Sequence, residues 1–280
     1  MTLCSEYARD LGELLAGTAA LAQSWVVLEQ PGPWGAKALL SSHLDHGLGV
    51  ALTERSGDVP VTVVLARRIG HHADDHVVDR PRNVWVGHVG PGEPWLEHTL
   101  VDDPALLLDL DLGSVAAGVR PMLGSAVTEP LLLVCTNSKR DRCCALLGRP
   151  VAAALAGELP GQVWEASHLG GHRLAPTLLS LPDGFVYGGP LAATRGLAAC
   201  RGRTSLPRPA QAAELAVLAS LGAARPYALP VESAADNWLV TGPAGTVRVQ
   251  VSEMPLEPAR PESCGKAAVS TVSYSAAILA

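Results

Sequence analysis

Short apolar runs alternate along this chain with polar segments bearing glycine and proline, and the spacing shifts between the strand period and the helix period. Ser24 to Glu29 (SWVVLE), Val61 to Ala66 (VTVVLA) and Asn83 to Val89 (NVWVGHV) are rich in β-branched and aromatic residues and predict strands. Trp95 to Val101 predicts another. Leu11 to Gly17 and Ala36 to Leu40 predict helices, the second following a turn at Gln30-Pro31-Gly32-Pro33-Trp34-Gly35. The first hundred residues therefore read as α/β.

After a helix-forming stretch at Pro104 to Leu110, Leu131 to Cys135 (LLLVC) is wholly apolar, the pattern of a short strand buried on both faces. Apolar residues at helical spacing follow from Cys144 to Leu159. Gln162 to Ser167 (QVWEAS) predicts a strand, as does Phe185 to Tyr187 after the Pro182-Asp183-Gly184 turn. This order of strand, helix, strand, short helix and strand is thioredoxin-like. Beyond it come a helix from Ala210 to Leu221, ended by Gly222, and strands at Asn237 to Thr241, Thr246 to Ser252 and Ala268 to Tyr274. The expected organisation is an N-terminal α/β domain over 1–120, a thioredoxin-like domain over 121–200 and a C-terminal helix and strand extension over 201–280. No repeat of fixed period is visible, although the two α/β halves are candidates for related folds.

Composition narrows the function. The net charge of −6 and the lack of a Lys/Arg cluster argue against a nucleic-acid partner, because phosphate binding needs basic residues gathered on one face. The longest apolar stretch is far short of the roughly 20 residues needed to span a bilayer, so no membrane association is expected. The first residues lack the basic and apolar regions of a secretory signal, which gives the expectation of a cytoplasmic protein. Six cysteines (Cys4, Cys135, Cys143, Cys144, Cys200, Cys264) are too sparse for a disulfide scaffold. Cys4, Cys200 and Cys264 read as small buried hydrophobes.

Two loops leave the carboxyl ends of two expected strands, one bearing Cys135 to Cys144 and the other His168-Leu-Gly-Gly-His172. In a parallel arrangement both open on the same sheet edge, where ligands of α/β folds sit. Two thiols and two imidazoles suit zinc or an iron–sulfur cluster, whereas magnesium and calcium prefer oxygen. Zinc knuckles usually separate paired cysteines by two to four residues. Eight lie between Cys135 and Cys144, and the Gly170-Gly171 pair allows close backbone approach, so the wide loop suits a binuclear cluster better. A structural Cys2His2 zinc module stays open on these grounds. So does a thioredoxin-like thiol oxidoreductase using Cys143-Cys144, although adjacent cysteines are not the Cys-x-x-Cys arrangement of disulfide exchange.

The segments VCTNSKRDRCCALLGRP and VWEASHLGGHRLAPTLLSLPDG closely resemble the sucrase/ferredoxin-like family, and weaker likeness extends to WVVLEQPGPWG, Leu206 to Glu214 and Ser263 to Lys266. The resemblance implies a thioredoxin-like ferredoxin domain and a [2Fe-2S] cluster held by Cys135, Cys144, His168 and His172, in a soluble electron-transfer protein served by a redox partner. It does not imply a glycosidase, since no pair of carboxylates stands out as an acid and nucleophile. Cys144 is preferred to Cys143 because it keeps the eight-residue gap; Cys143 is then a buried neighbour or a spare ligand. Two thiolates and two neutral imidazoles leave an oxidised cluster neutral. Such replacement raises the potential, which in Rieske centres spans about −150 to +300 mV against about −400 mV for plant-type ferredoxins. Protonation of His168 or His172 would couple to reduction, so the midpoint would fall with rising pH.

Lys139, Arg140, Arg142, Arg149 and Arg173 flank the two loops as solvated residues or as a docking rim for an acidic partner. His71, His72, Asp74, Asp75 and His76 read as a polar surface loop rather than a second metal site. The glycines at 87–92 and 188–189 read as turns, because they lack a phosphate-loop or dinucleotide fingerprint. The six tryptophans read as core anchors.

Overall fold

The computed structural model describes residues 3–70 and 80–279, so the His71 to His76 loop lies outside the described residues. The helix Cys4–Asp10 (α1) is followed by the strand Ser24–Glu29 (β1), the helices Ala38–Ser41 (α2) and His46–Gly57 (α3), and the strands Val61–Arg67 (β2), Arg82–His88 (β3) and Trp95–Val101 (β4). The helix Leu112–Ala116 (α4) and the strand Ser125–Ala126 (β5) close the first half. The second half comprises Leu131–Cys135 (β6), the helix Arg142–Glu158 (α5), Val163–Ala166 (β7), Leu178–Leu181 (β8), Phe185–Tyr187 (β9), Cys200–Arg203 (β10) and the helix Arg208–Ser220 (α6). Four strands end the chain: Val231–Ala234 (β11), Asn237–Gly242 (β12), Gly245–Pro261 (β13) and Ala268–Leu279 (β14).

The fold is mixed α/β, with one large sheet in the order β10-β9-β8-β6-β7-β2-β1-β3-β4-β5 and an antiparallel sheet of β11 to β14. Both halves of the large sheet follow one plan. β6 lies parallel to β7 and antiparallel to β8, which is antiparallel to β9; β1 lies parallel to β2 and antiparallel to β3, which is antiparallel to β4. The second half thus has the strand, helix, strand, short helix and strand sequence expected for a thioredoxin-like unit, and the first half repeats its strand order.

The halves meet edge to edge through β2 and β7, which overlap only at their carboxyl ends, Ala66 opposite Ala166 and Arg67 opposite Glu165. The loops that leave the carboxyl ends of both units consequently gather at the middle of the sheet. Across this junction the Asn137 side-chain amide donates to the Gly35 carbonyl at 3.0 Å, tying the QPGPWG turn to the cysteine loop. One apolar core spans both units, uniting Val27, Val64 and Ala66 with Leu133, Cys135, Cys144 and Trp164. All five residues of β6 are buried, as an uninterrupted apolar run requires, and each such side chain contributes roughly 1.5–3 kcal/mol.

The Leu11 to Gly17 segment is not helical. The helix lies earlier, at α1, and the chain leaves it through Gly12 and Gly17 at φ +63° and +78°, backbone that glycine adopts without a Cβ penalty. β13 and β14 also run well past the short strands expected there and pair as a long hairpin. Among the described residues no helix is long and apolar enough to cross a membrane.

At the end of β1, Glu29 is 1% exposed and accepts hydrogen bonds from Arg80 Nη2 at 2.7 Å and from the Asn83 backbone amide at 3.1 Å. Burial alone would raise this carboxyl's pKa, but the Arg80 and Asn83 bonds hold it below its usual value of 4.5. A folded-state pKa below the unfolded one gives stability that is present above about pH 4.5 and is lost as the pH falls through the folded value. Glu29→Gln should therefore flatten the acid limb of stability against pH, measured as the urea midpoint from about pH 6 to pH 3. A limb of unchanged steepness would assign acid sensitivity to other carboxylates.

Candidate metal centre

Cys135 is the last residue of β6 and is 1% exposed, with its thiol directed toward the Ser167 carbonyl at 3.7 Å. Cys144 sits in the first turn of α5, which Asp141 caps by accepting from the Cys143 amide at 2.8 Å. Helix α5 approaches β6 closely because residue 148 is glycine: a Cβ there would lie 2.2 Å from the Cys135 carbonyl oxygen. That close packing sets the reach between the two sulfurs.

His168 follows β7 and His172 begins a short 3-10 turn, His172–Leu174. Between them Gly170 and Gly171 take φ +80° and +70°, the left-handed region that glycine favours. A side chain at residue 171 is excluded for a second reason, since its Cβ would lie 2.2 Å from the Arg201 guanidinium. Arg201 is fully buried, and its Nη1 donates to the Gly170 carbonyl at 3.2 Å while its Nε donates to Thr18 Oγ1 at 3.0 Å. A buried guanidinium from β10 thereby fixes the backbone that carries both histidines.

The two loops converge. Cys144 Sγ lies 3.3 Å from His172 Nδ1, and the His168 and His172 rings stack with centroids 4.3 Å apart and planes inclined by 19°. A hydrogen bond from Cys144 and a further contact with His168 hold the Cys135 thiol well below its ordinary pKa despite burial, and the same bond with Cys135 pushes the Cys144 thiol upward. Burial, with His168 next to it, lowers His172 to about 4, so near neutral pH its imidazole is neutral with a lone pair free for coordination. His168 is half-buried and forms the outer face of the group, whereas the two cysteines are covered.

A profile of the sucrase/ferredoxin-like family matches residues 15–194. The chain belongs to that family. The match takes in strands β1 to β9 of the large sheet, including the QPGPWG turn, and stops before β10. No curated protein and no solved structure matches the chain.

Within this family member, Cys143 points away from the histidines and toward Cys4, Ser5 and Cys264. Reading Cys4 and Cys264 as isolated thiols is therefore corrected: with Cys143 and Asp141 they form a compact group able to hold a metal ion. Their separation along the chain hid the group. Cys200 alone keeps its reading as a buried small hydrophobe, its thiol pushed up by burial to a range where it stays protonated. Of the flanking basic residues, Lys139, Arg140, Arg142 and Arg149 are exposed. Arg173 is instead engaged by Glu13, 2.6 Å from its Nε.

Proposed function

We propose that the chain is a [2Fe-2S] electron-transfer protein whose cluster is held by Cys135, Cys144, His168 and His172. The observation that carries this reading is the 3.3 Å contact between Cys144 Sγ and His172 Nδ1, which closes the gap between two loops that supply different ligand types. The donor set fits the group: two thiols, one already inclined to ionise, beside two imidazoles, one of them neutral. When bound, such a cluster supplies one reversible electron.

The protein's own residues set the conditions for that exchange. Burial of both cysteines excludes water from the sulfur side, and the half-buried His168 gives the outer edge through which an electron passes to a partner. Arg201 and the Gly170-Gly171 backbone hold the imidazoles in one orientation, which limits reorganisation when the charge changes. Exposed Lys139, Arg140 and Arg142 lie on the loop and first helical turn between the two cysteines, a basic rim suited to an acidic redox partner.

Anaerobic purification followed by iron and acid-labile sulfide analysis tests the reading. Equimolar iron and sulfide with a reddish-brown colour is the expected result. A colourless protein that holds zinc at these four residues would replace it with a structural module.

A further inference from the structure

The second cysteine group lies where three remote parts of the chain meet: α1 through Cys4, the first turn of α5 through Cys143, and the tip of the β13–β14 hairpin through Cys264. The three sulfurs form a near-equilateral triangle, with Cys4 to Cys143 at 3.5 Å, Cys143 to Cys264 at 3.3 Å and Cys264 to Cys4 at 3.5 Å. Asp141 lies at its apex, its carboxylate oxygens 3.7 and 3.9 Å from Cys4 Sγ. We propose that Cys4, Cys143, Cys264 and Asp141 form a structural zinc site that clamps the start of the chain and the C-terminal hairpin onto helix α5.

The geometry favours a metal over a disulfide. A tetrahedral zinc site with Zn–S near 2.3 Å has sulfur–sulfur edges of about 3.8 Å, so each edge needs to open by only a few tenths of an ångström. A disulfide would require one pair to close by more than about 1 Å and would leave the third thiol unmatched. The fourth group selects among thiophilic metals, because three thiolates with one carboxylate oxygen suit zinc, whereas copper(I) is served by sulfur alone. Zinc binding here displaces the thiol protons to solvent and changes no oxidation state.

The surroundings are arranged around the same four groups. Asp141 is 3% exposed and is oriented by the Ser263 hydroxyl and the Cys264 amide, each donating to Oδ2 at 2.7 Å, as well as by the Cys143 amide on Oδ1. Ser5 Oγ donates to Cys143 Sγ at 3.2 Å. Cys143 also stands at the N-terminal end of a 17-residue helix, where free amides and the helix dipole favour a thiolate. Cys264 is half-buried and leaves the metal a route of entry, beside the Gly265 turn at φ +79°.

None of these four residues is assigned to the [2Fe-2S] cluster, so the two sites separate experimentally. Zinc and iron are to be quantified in the full-length protein purified anaerobically, in wild type and in Cys4→Ser and Cys264→Ser, with zinc-edge X-ray absorption on the wild type. The expected result is one zinc per chain with three sulfur and one oxygen neighbours, lost at least tenfold in both variants while iron content is kept. Absence of zinc after addition of Zn²⁺ under reducing conditions, zinc retained in both variants, or two sulfur and two nitrogen neighbours would each overturn the proposal. The last outcome would place zinc at the histidine site and overturn the cluster reading instead of merely this one. Wild-type absorption decides the matter even if a variant fails to fold.

Discussion

Cys144→Ala and His168→Ala are each expected to strip the protein of iron and colour, whereas Cys143→Ala keeps both. The two cysteines are neighbours in sequence at the start of α5, yet the helix directs one sulfur to His172 and the other to Cys4 and Cys264. Removing a ligand leaves three residues to satisfy a cofactor that needs four, and losses of metal affinity well beyond the 10–100-fold typical of outer supporting residues follow. Visible absorbance and iron per chain, compared across the three variants, measure the effect. Equal loss from Cys143→Ala and Cys144→Ala would mean that the helix start as a whole is required rather than one sulfur.

The second large effect lies at the seam between the two halves of the sheet. Glu165 is 1% exposed and receives Arg67 Nε and Nη2, both at 2.8 Å, together with the Thr136 hydroxyl at 2.9 Å. Arg67 in turn lies over the Trp34 ring, 4.3 Å from its centroid. Only two residue pairs join β2 to β7, and this ion pair ties the junction together with the Ser167 amide, which donates to the Leu65 carbonyl at 2.8 Å. Glu165→Ala breaks this buried ion pair, which costs about 3–5 kcal/mol and lowers Tm by on the order of 10 °C in a chain of this size. Replacing both partners with apolar residues, Arg67→Met with Glu165→Leu, should recover most of that loss, because the desolvation cost of both charges goes with them. Thermal unfolding of the single and double variants checks the pair. A double variant no more stable than Glu165→Ala would show that the charges specify the register of the junction.

Much of this architecture is legible in the chain because local chemistry and burial agree. LLLVC is a strand buried on both faces, and Trp95 to Val101 is a strand over the span its pattern gives. Helix α3 is not legible: His46, Gly47, Gly49 and Thr53 weaken its helical signal, and only Leu48, Gly49 and Leu52 are buried along it. Leu11 to Gly17 has the opposite history, since apolar spacing there suggests a helix that two left-handed glycines prevent.

The convergence of the two cysteines and two histidines could be anticipated because each pair lies on one short stretch of chain. The Cys4, Cys143 and Cys264 triangle could not, because its outer members are 260 residues apart and meet only when the hairpin folds back over α1. Likewise, the identical strand order of the two halves appears in pairing registers and not as any repeat of residues.

Nitrogen hyperfine spectroscopy on the reduced protein addresses the central claim most directly. The account predicts a paramagnetic signal coupled to the nitrogens of two imidazoles, both couplings changing when the histidines are labelled with nitrogen-15. A reduced cluster with no imidazole coupling in the wild-type protein would contradict it.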